Sequence, residues 1–169
     1  MTRVVLVPGV LALLPEYAGL VDPVADLRAA CLSAVAWLGT GPVTVIADPQ
    51  GARVARALLE ACGGIETGLR PSSTTATASY LVVGNGSACR SEKAPGHLDE
   101  RAAAYDDGLR AGLASSDVKG LDLGLGKSLL ASLDAIARLP EVLPVGTPAQ
   151  VDYDDDPFGV QYWVMRWQA

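Results

Sequence analysis

Apolar residues recur at two spacings along the chain, and the switches between them mark out its elements. Arg3 to Pro8 is a short apolar run of the strand kind. Asp22-Pro23 then predicts a helix start, with aspartate as the cap and proline at the first helical position. Val24, Leu27, Ala30, Cys31, Ala34, Val35 and Leu38 follow at helical spacing until Gly39-Thr40-Gly41 stops them. Val43 to Ala47 is apolar without a break, the pattern of a strand covered on both faces. Asp48-Pro49 repeats the cap, and the helix it opens runs to about Cys62, where Gly63-Gly64 ends it. Tyr80 to Val83 predicts another strand. Asp99 caps a helix that carries Ala102, Tyr105, Leu109 and Leu113 on one face.

A further helix is predicted over about Gly126 to Leu139, with Leu129, Leu130, Leu133, Ile136 and Ala137 inward and Pro140 at its end. Ala149, Val151 and Tyr153 alternate, a DDDPFG turn follows, and Gly159 to Trp167 makes a long last strand, so the two pair as an antiparallel hairpin. Residues 65 to 78, IETGLRPSSTTATA, are rich in Ser and Thr, carry no helical stripe and read as a candidate flexible loop. Strands alternating with helices predict one α/β domain over residues 1–169. Its sheet is mixed but mostly parallel, with helices on both faces and a terminal antiparallel hairpin.

Composition narrows the function classes. The chain has 169 residues, half of them hydrophobic, enough for a real core. Its net charge is −6, which gives no electrostatic footprint for nucleic acid. No apolar run is long enough for a bilayer span, and no helix shows a basic face for a membrane surface. The opening MTRVVLVPGVLALLPE is broken by two prolines and a glycine and leads to no A-x-A site, so it reads as a first strand rather than a signal peptide. Cys31, Cys62 and Cys89 are odd in number and lack metal-site spacing, and Cys31 and Cys62 fall on apolar helix faces; a reduced cytoplasm suits them.

Candidate chemistry gathers in VVGNGSACRSEKAPGHLDE, Val82 to Glu100, where a strand runs into a charged loop. Asn85, Ser87, Arg90, Glu92, Lys93, His97, Asp99 and Arg101 form a candidate pocket for a small polar or anionic ligand. The competing reading is a salt-bridged loop that fixes the entry of the next helix. Ser87 and Cys89 are candidate nucleophiles. Ser87 lies outside a G-x-S-x-G elbow, and Cys89 has Arg90 beside it to lower its pKa. His97, flanked by Glu92 and Asp99, is a candidate proton shuttle or else a locally bonded loop residue. Asp48 to Gly51 opens a helix at a strand end and could face the same crevice. Asp152, Asp154, Asp155 and Asp156 lack the spacing of a calcium loop and read as a solvated turn. Tyr162, Trp163, Met165 and Trp167 make the last strand apolar on both faces. Core packing explains that; exposure there would suggest a dimer edge.

GNGSACRSEKAPGHLDERAAAYDDGLRAGL, the ending YDDDPFGVQYWVMRW and the early DPVADLRAACLSAV together resemble an actinobacterial branch related to the LigB-like superfamily, that of the class III extradiol ring-cleavage dioxygenases. The resemblance implies a dioxygenase-type α/β fold. It also implies a site where active members hold non-haem iron with two histidines and a glutamate, and use another histidine as acid and base. This chain departs from that pattern. Gly9 follows Val7-Pro8 where the family has Pro-His, Gln50 follows Pro49 where it again has Pro-His, and Ala88 stands after the Gly84-Asn85-Gly86-Ser87 turn in place of the catalytic histidine. The family's glutamate has no assigned counterpart, and one histidine cannot supply two imidazole ligands. The expectation is therefore a degenerate site without metal or cofactor, in a protein that is non-catalytic or repurposed. The alternatives are an enzyme of other chemistry, a hydrolase or a carboxylate-metal enzyme using Asp48, Glu92 or Asp99, and an interaction protein that forms a homo-oligomer through its last strand.

Overall fold

Strand residues alternate between two cores, as their spacing predicts. A computed structural model describes residues 1–67 and 77–169. In chain order it contains β1 (Thr2–Val7), α1 (Ala25–Trp37), β2 (Pro42–Ile46), α2 (Pro49–Ala61), β3 (Ile65–Thr67), β4 (Ala78–Val83), α3 (Arg101–Ala114), α4 (Leu123–Ser128), β5 (Gln150–Asp155) and β6 (Tyr162–Gln168). The strands form one sheet in the order β3-β2-β4-β1-β6-β5. β1 to β4 are parallel, β6 runs antiparallel to β1, and β5 antiparallel to β6. This is the α/β architecture expected: a mostly parallel mixed sheet between helices, closed by a hairpin.

Val5 and Val7 of β1, Leu81 and Val83 of β4, and Val164 of β6 face α1 and α2. Val4, Leu6, Tyr80, Val82, Trp163, Met165 and Trp167 face the opposite core, against Leu109 and Leu113 of α3 and against Leu133, Ile136 and Leu139. Each such buried side chain stabilises the fold by about 1.5–3 kcal/mol relative to exposure. Trp163 is 0% and Trp167 1% exposed, because β6 is an inner strand. The last strand is thus core packing, as expected; the surface that the homo-oligomer alternative would use there is internal, and the edge on that side is β5.

Helix starts follow local chemistry. Asp48 accepts the Gly51 N–H at 2.6 Å and caps α2 as expected. Asp22 does not cap α1 directly. It accepts from Val24 N at 3.1 Å and binds Arg28 Nε at 2.7 Å, and the helix begins two residues later than predicted, at Ala25.

Two expectations need correction. The helix predicted over 126–139 is broken. α4 ends at Ser128, and Leu130 N bonds Lys127 O at 3.1 Å while Ala131 N bonds Gly126 O at 2.9 Å, a Schellman stop. Leu130 occupies its left-handed position at φ 57° and points outward, 53% exposed. The chain then extends so that Ser132 bridges Asn85 through paired backbone bonds of 3.0 and 3.2 Å. A short stretch of 3-10 helix, Ile136–Glu141, follows with Pro140 inside it, and Ala137 is exposed. The other correction concerns 65–78. Ile65–Thr67 is an edge strand paired with β2, and Ala78 already belongs to β4; the rest of that stretch, 68–76, lies outside the described residues.

Candidate functional site

β2 and β4 are neighbours, yet their following connections diverge. β2 leads to α2 on one face of the sheet and β4 leads to α3 on the other. Such a switch point opens a crevice beyond the strands' carboxyl ends. Here it holds two adjoining lobes. One, of about 400 Å³, is lined by Asp48, Leu123, Lys127, Ala131, Ser132, Leu133 and Asp134. The other, of about 260 Å³, is lined by Ile46, Ala47, Asp48, Pro49, Asp134, Ala135 and Arg138. Asp48 and Asp134 belong to both. Arg138 is held by Glu141 through two 3.0 Å bonds. Among the described residues, Lys127 and Asp134 enter no ion pair. A further cavity of about 400 Å³ borders α3 at Ala104, Tyr105 and Gly108.

Gly9 and Gln50 line neither lobe and meet at the start of α2. Gln50 Nε2 donates to the Gly9 carbonyl at 2.9 Å. A Cβ on Gly9 would stand 3.2 Å from Val83 Cγ1 and 3.6 Å from Gly51 Cα, so the close approach of loop, helix and strand favours glycine. Ala88 is buried and packs elsewhere, its N–H on Leu129 O at 2.9 Å.

The charged loop lines neither lobe. Its first half is pinned to the turn that leads into β6: Gly86 N to Gln161 O at 2.9 Å, Gln161 N to Ser87 O at 2.9 Å and Arg90 N to Gly159 O at 3.0 Å. A Cβ on Gly86 would lie 2.6 Å from Asp106 Oδ1 and 2.8 Å from the Trp163 ring, which accounts for the turn's second glycine. Ser87 is fully buried. Its hydroxyl donates to Asp106 Oδ2 at 2.6 Å and its N–H to Asp106 Oδ1 at 2.8 Å. Arg90 reaches the same carboxylate at 3.3 Å and Asp156 at 2.5 Å. Burial pushes the Asp106 carboxyl above the ordinary range, against the opposing pull of Ser87 and Arg90.

Asp99 grips Arg101 through bonds of 3.0 and 2.7 Å, and that guanidinium holds the Asp99 carboxyl down to about 2. Glu92 and Lys93 are exposed. His97 is exposed at φ 56°, and its Nδ1 lies 3.4 Å from the Glu92 carbonyl oxygen rather than at either flanking carboxylate. Cys89 is buried with its thiol on Leu129 O at 3.4 Å. Burial first, then Asp99 and Asp106, raise its pKa, so the lowering expected from Arg90 does not occur. Asn85 spends its backbone on Ser132 and its side-chain amide on Gly86 O at 3.2 Å. These residues form a cross-braced loop and do not converge on one cavity.

The acidic run is braced as well, not simply solvated. Asp152 holds Arg166 at 2.6 and 2.9 Å, Asp154 pairs with Arg110 at 2.5 Å, and Asp156 with Arg90. Among the described residues, no three His, Cys, Asp or Glu side chains gather to hold a metal, and no helix is long and apolar enough to cross a membrane.

Sequence reasoning missed Asp106 and the crevice wall. Asp106 falls on the inward stripe of α3 between Ala102 and Leu109, and a carboxylate at such a position is a readable sign of a buried polar network. Lys127, Ser132 and Asp134 were hidden by the assumption of one continuous helix. Neither a model of a known protein family nor a curated protein sequence matches the chain.

Proposed function

We propose that the chain is a non-catalytic or repurposed homologue of the LigB-like dioxygenases, and that it binds a small polar ligand in the crevice at the carboxyl ends of β2 and β4. The observation that carries this reading is the contact between Gln50 and Gly9. Where the resemblance calls for two histidine ligands, a glutamine amide is spent on a glycine carbonyl at 2.9 Å.

The family's iron does not fit these residues. The sole imidazole, His97, stands exposed on the far loop against a backbone carbonyl. Gly9 offers no donor, and a neutral amide is a poor partner for Fe(II) beside imidazole. Glu92 and Asp99 lie outside the crevice that Asp48 lines, so the three acids of the carboxylate-enzyme alternative do not come together. The crevice sits at a topological switch point, the usual place for a ligand in an open α/β sheet. Three thiols without metal-site spacing favour a cytoplasmic setting.

Two measurements on the purified chain test this. Metal analysis after expression in iron- and zinc-supplemented medium is expected to find no stoichiometric metal; one tightly held iron per chain refutes the reading. A thermal-shift screen of polar metabolites is expected to find one that raises the melting temperature, as any ligand specific to the folded state must. A wholly silent screen removes the ligand-binding half.

A further inference from the structure

We propose that the crevice selects a small zwitterion of the α-amino-acid type, with its ammonium at Asp48 and Asp134 and its carboxylate toward Lys127; this rests on the crevice being the ligand site. Among the described residues the two lobes share Asp48 and Asp134, so both aspartates stand at their junction. Asp48 commits one oxygen to the Gly51 N–H at 2.6 Å and keeps the other for a second donor. Asp134 enters no ion pair among the described residues. A ligand cation at the junction therefore meets two acceptors on separate elements.

The positive charges are divided unequally. Arg138, in the smaller lobe, is already engaged by Glu141 in a bidentate contact. Lys127 is the one cation lining the larger lobe and enters no ion pair among the described residues. An anionic group thus has one place to go, beside Lys127 and the Ser132 hydroxyl. A purely anionic ligand would face two carboxylates for one lysine, in a protein of net charge −6. A bare divalent cation would find only two carboxylates, short of the six or more oxygens that calcium takes. The larger lobe, about 400 Å³, is of a size to take a small molecule.

The test is a nitrogen-15 NMR titration of the full chain with a pool of the twenty L-amino acids, then with each singly. n-Propylamine, propionate and glycerol serve as probes of ammonium, carboxylate and hydroxyl alone. At least one amino acid is expected to give saturable shifts at the amides of Gly51 and Ser132 to Ala135, and to bind more tightly than the three fragments. Lys127→Met and Asp134→Asn change exposed side chains and leave the Asp48 cap intact; each is expected to weaken binding about fivefold, the size of a charge contact on an open lining. Unchanged affinity in both variants overturns the zwitterion assignment, and so does absence of saturable shifts with every amino acid. Saturation of those amides by propionate or glycerol more tightly than by any amino acid overturns it too, while leaving a ligand-binding crevice in place. Stoichiometric iron in the purified chain would remove the underlying reading instead.

Discussion

Ser87 gives both of its protons to one carboxylate: its hydroxyl lies 2.6 Å from Asp106 Oδ2 and its N–H 2.8 Å from Asp106 Oδ1. Asp106 comes from α3 and Ser87 from the turn after β4, and Arg90 ties the pair to Asp156 beyond β5. One buried carboxylate therefore joins three parts of the fold. Asp106→Ala leaves the Ser87 N–H and hydroxyl without their acceptor inside the protein. The expected loss is about 3 kcal/mol in urea unfolding, since breaking a buried charged network costs far more than its surface equivalent. Asp106→Asn, which keeps an acceptor oxygen, is expected to lose less.

The two best-held aspartates respond to acid in opposite senses. Asp99 has its folded-state pKa lowered from 3.8 to about 2, so its contribution is complete above the unfolded value and is lost as pH falls from about 4 towards 2. Asp106 has its pKa raised, so the folded state takes up a proton more readily than the unfolded chain; its contribution is complete below the unfolded value of 3.8 and declines as pH rises from there through the raised folded value. Carbon-13 titration of the side-chain carboxyls is expected to place the Asp99 midpoint near 2 and that of Asp106 above 3.8. Arg101→Ala should return the Asp99 midpoint towards its ordinary value and leave that of Asp106 in place.

Leu130 holds the left-handed position of the α4 stop at φ 57°, where a Cβ is disfavoured. Its side chain is 53% exposed, so little packing is at stake. Leu130→Gly removes about 1–2 kcal/mol of backbone strain. It also gives the unfolded chain more freedom, worth about 0.5–1 kcal/mol. A net gain of about 0.5–1 kcal/mol is expected, seen as a rise of a few degrees in Tm. A fall in Tm would mean that the leucine's contacts outweigh its backbone cost.

Thiol chemistry distinguishes the three cysteines. Burial raises the pKa of all three thiols, but Cys31 and Cys89 are buried whereas Cys62 is partly exposed at the end of α2. A disulfide reagent at pH 8 is expected to label Cys62 first in the folded protein and the other two only on unfolding. Rapid labelling of Cys89 would revive it as a nucleophile.

The parallel sheet was legible because buried strands and capped helices write themselves locally: Asp48-Pro49 announces α2, and Gly63-Gly64 its end. What stayed hidden is long-range. The interruption at Leu130 follows from the pairing of Ser132 with Asn85, which no helical periodicity encodes. The charges of the loop were visible, but not their partners: Arg90 meets Asp156 from 66 residues away, and Asp106 from 16. That loop therefore looked like a pocket when it is largely brace, while the crevice wall at Lys127 and Asp134 looked like one helix face.

β6 lies inside the sheet, so Arg3 stands opposite Gln168. During synthesis β1 leaves the ribosome long before this neighbour exists, and one flank of it offers bare amides and carbonyls to any passing strand. A nascent chain in that condition is a natural client for holding chaperones. A premature stop ahead of Tyr162 is expected to leave a product that clumps rather than folds.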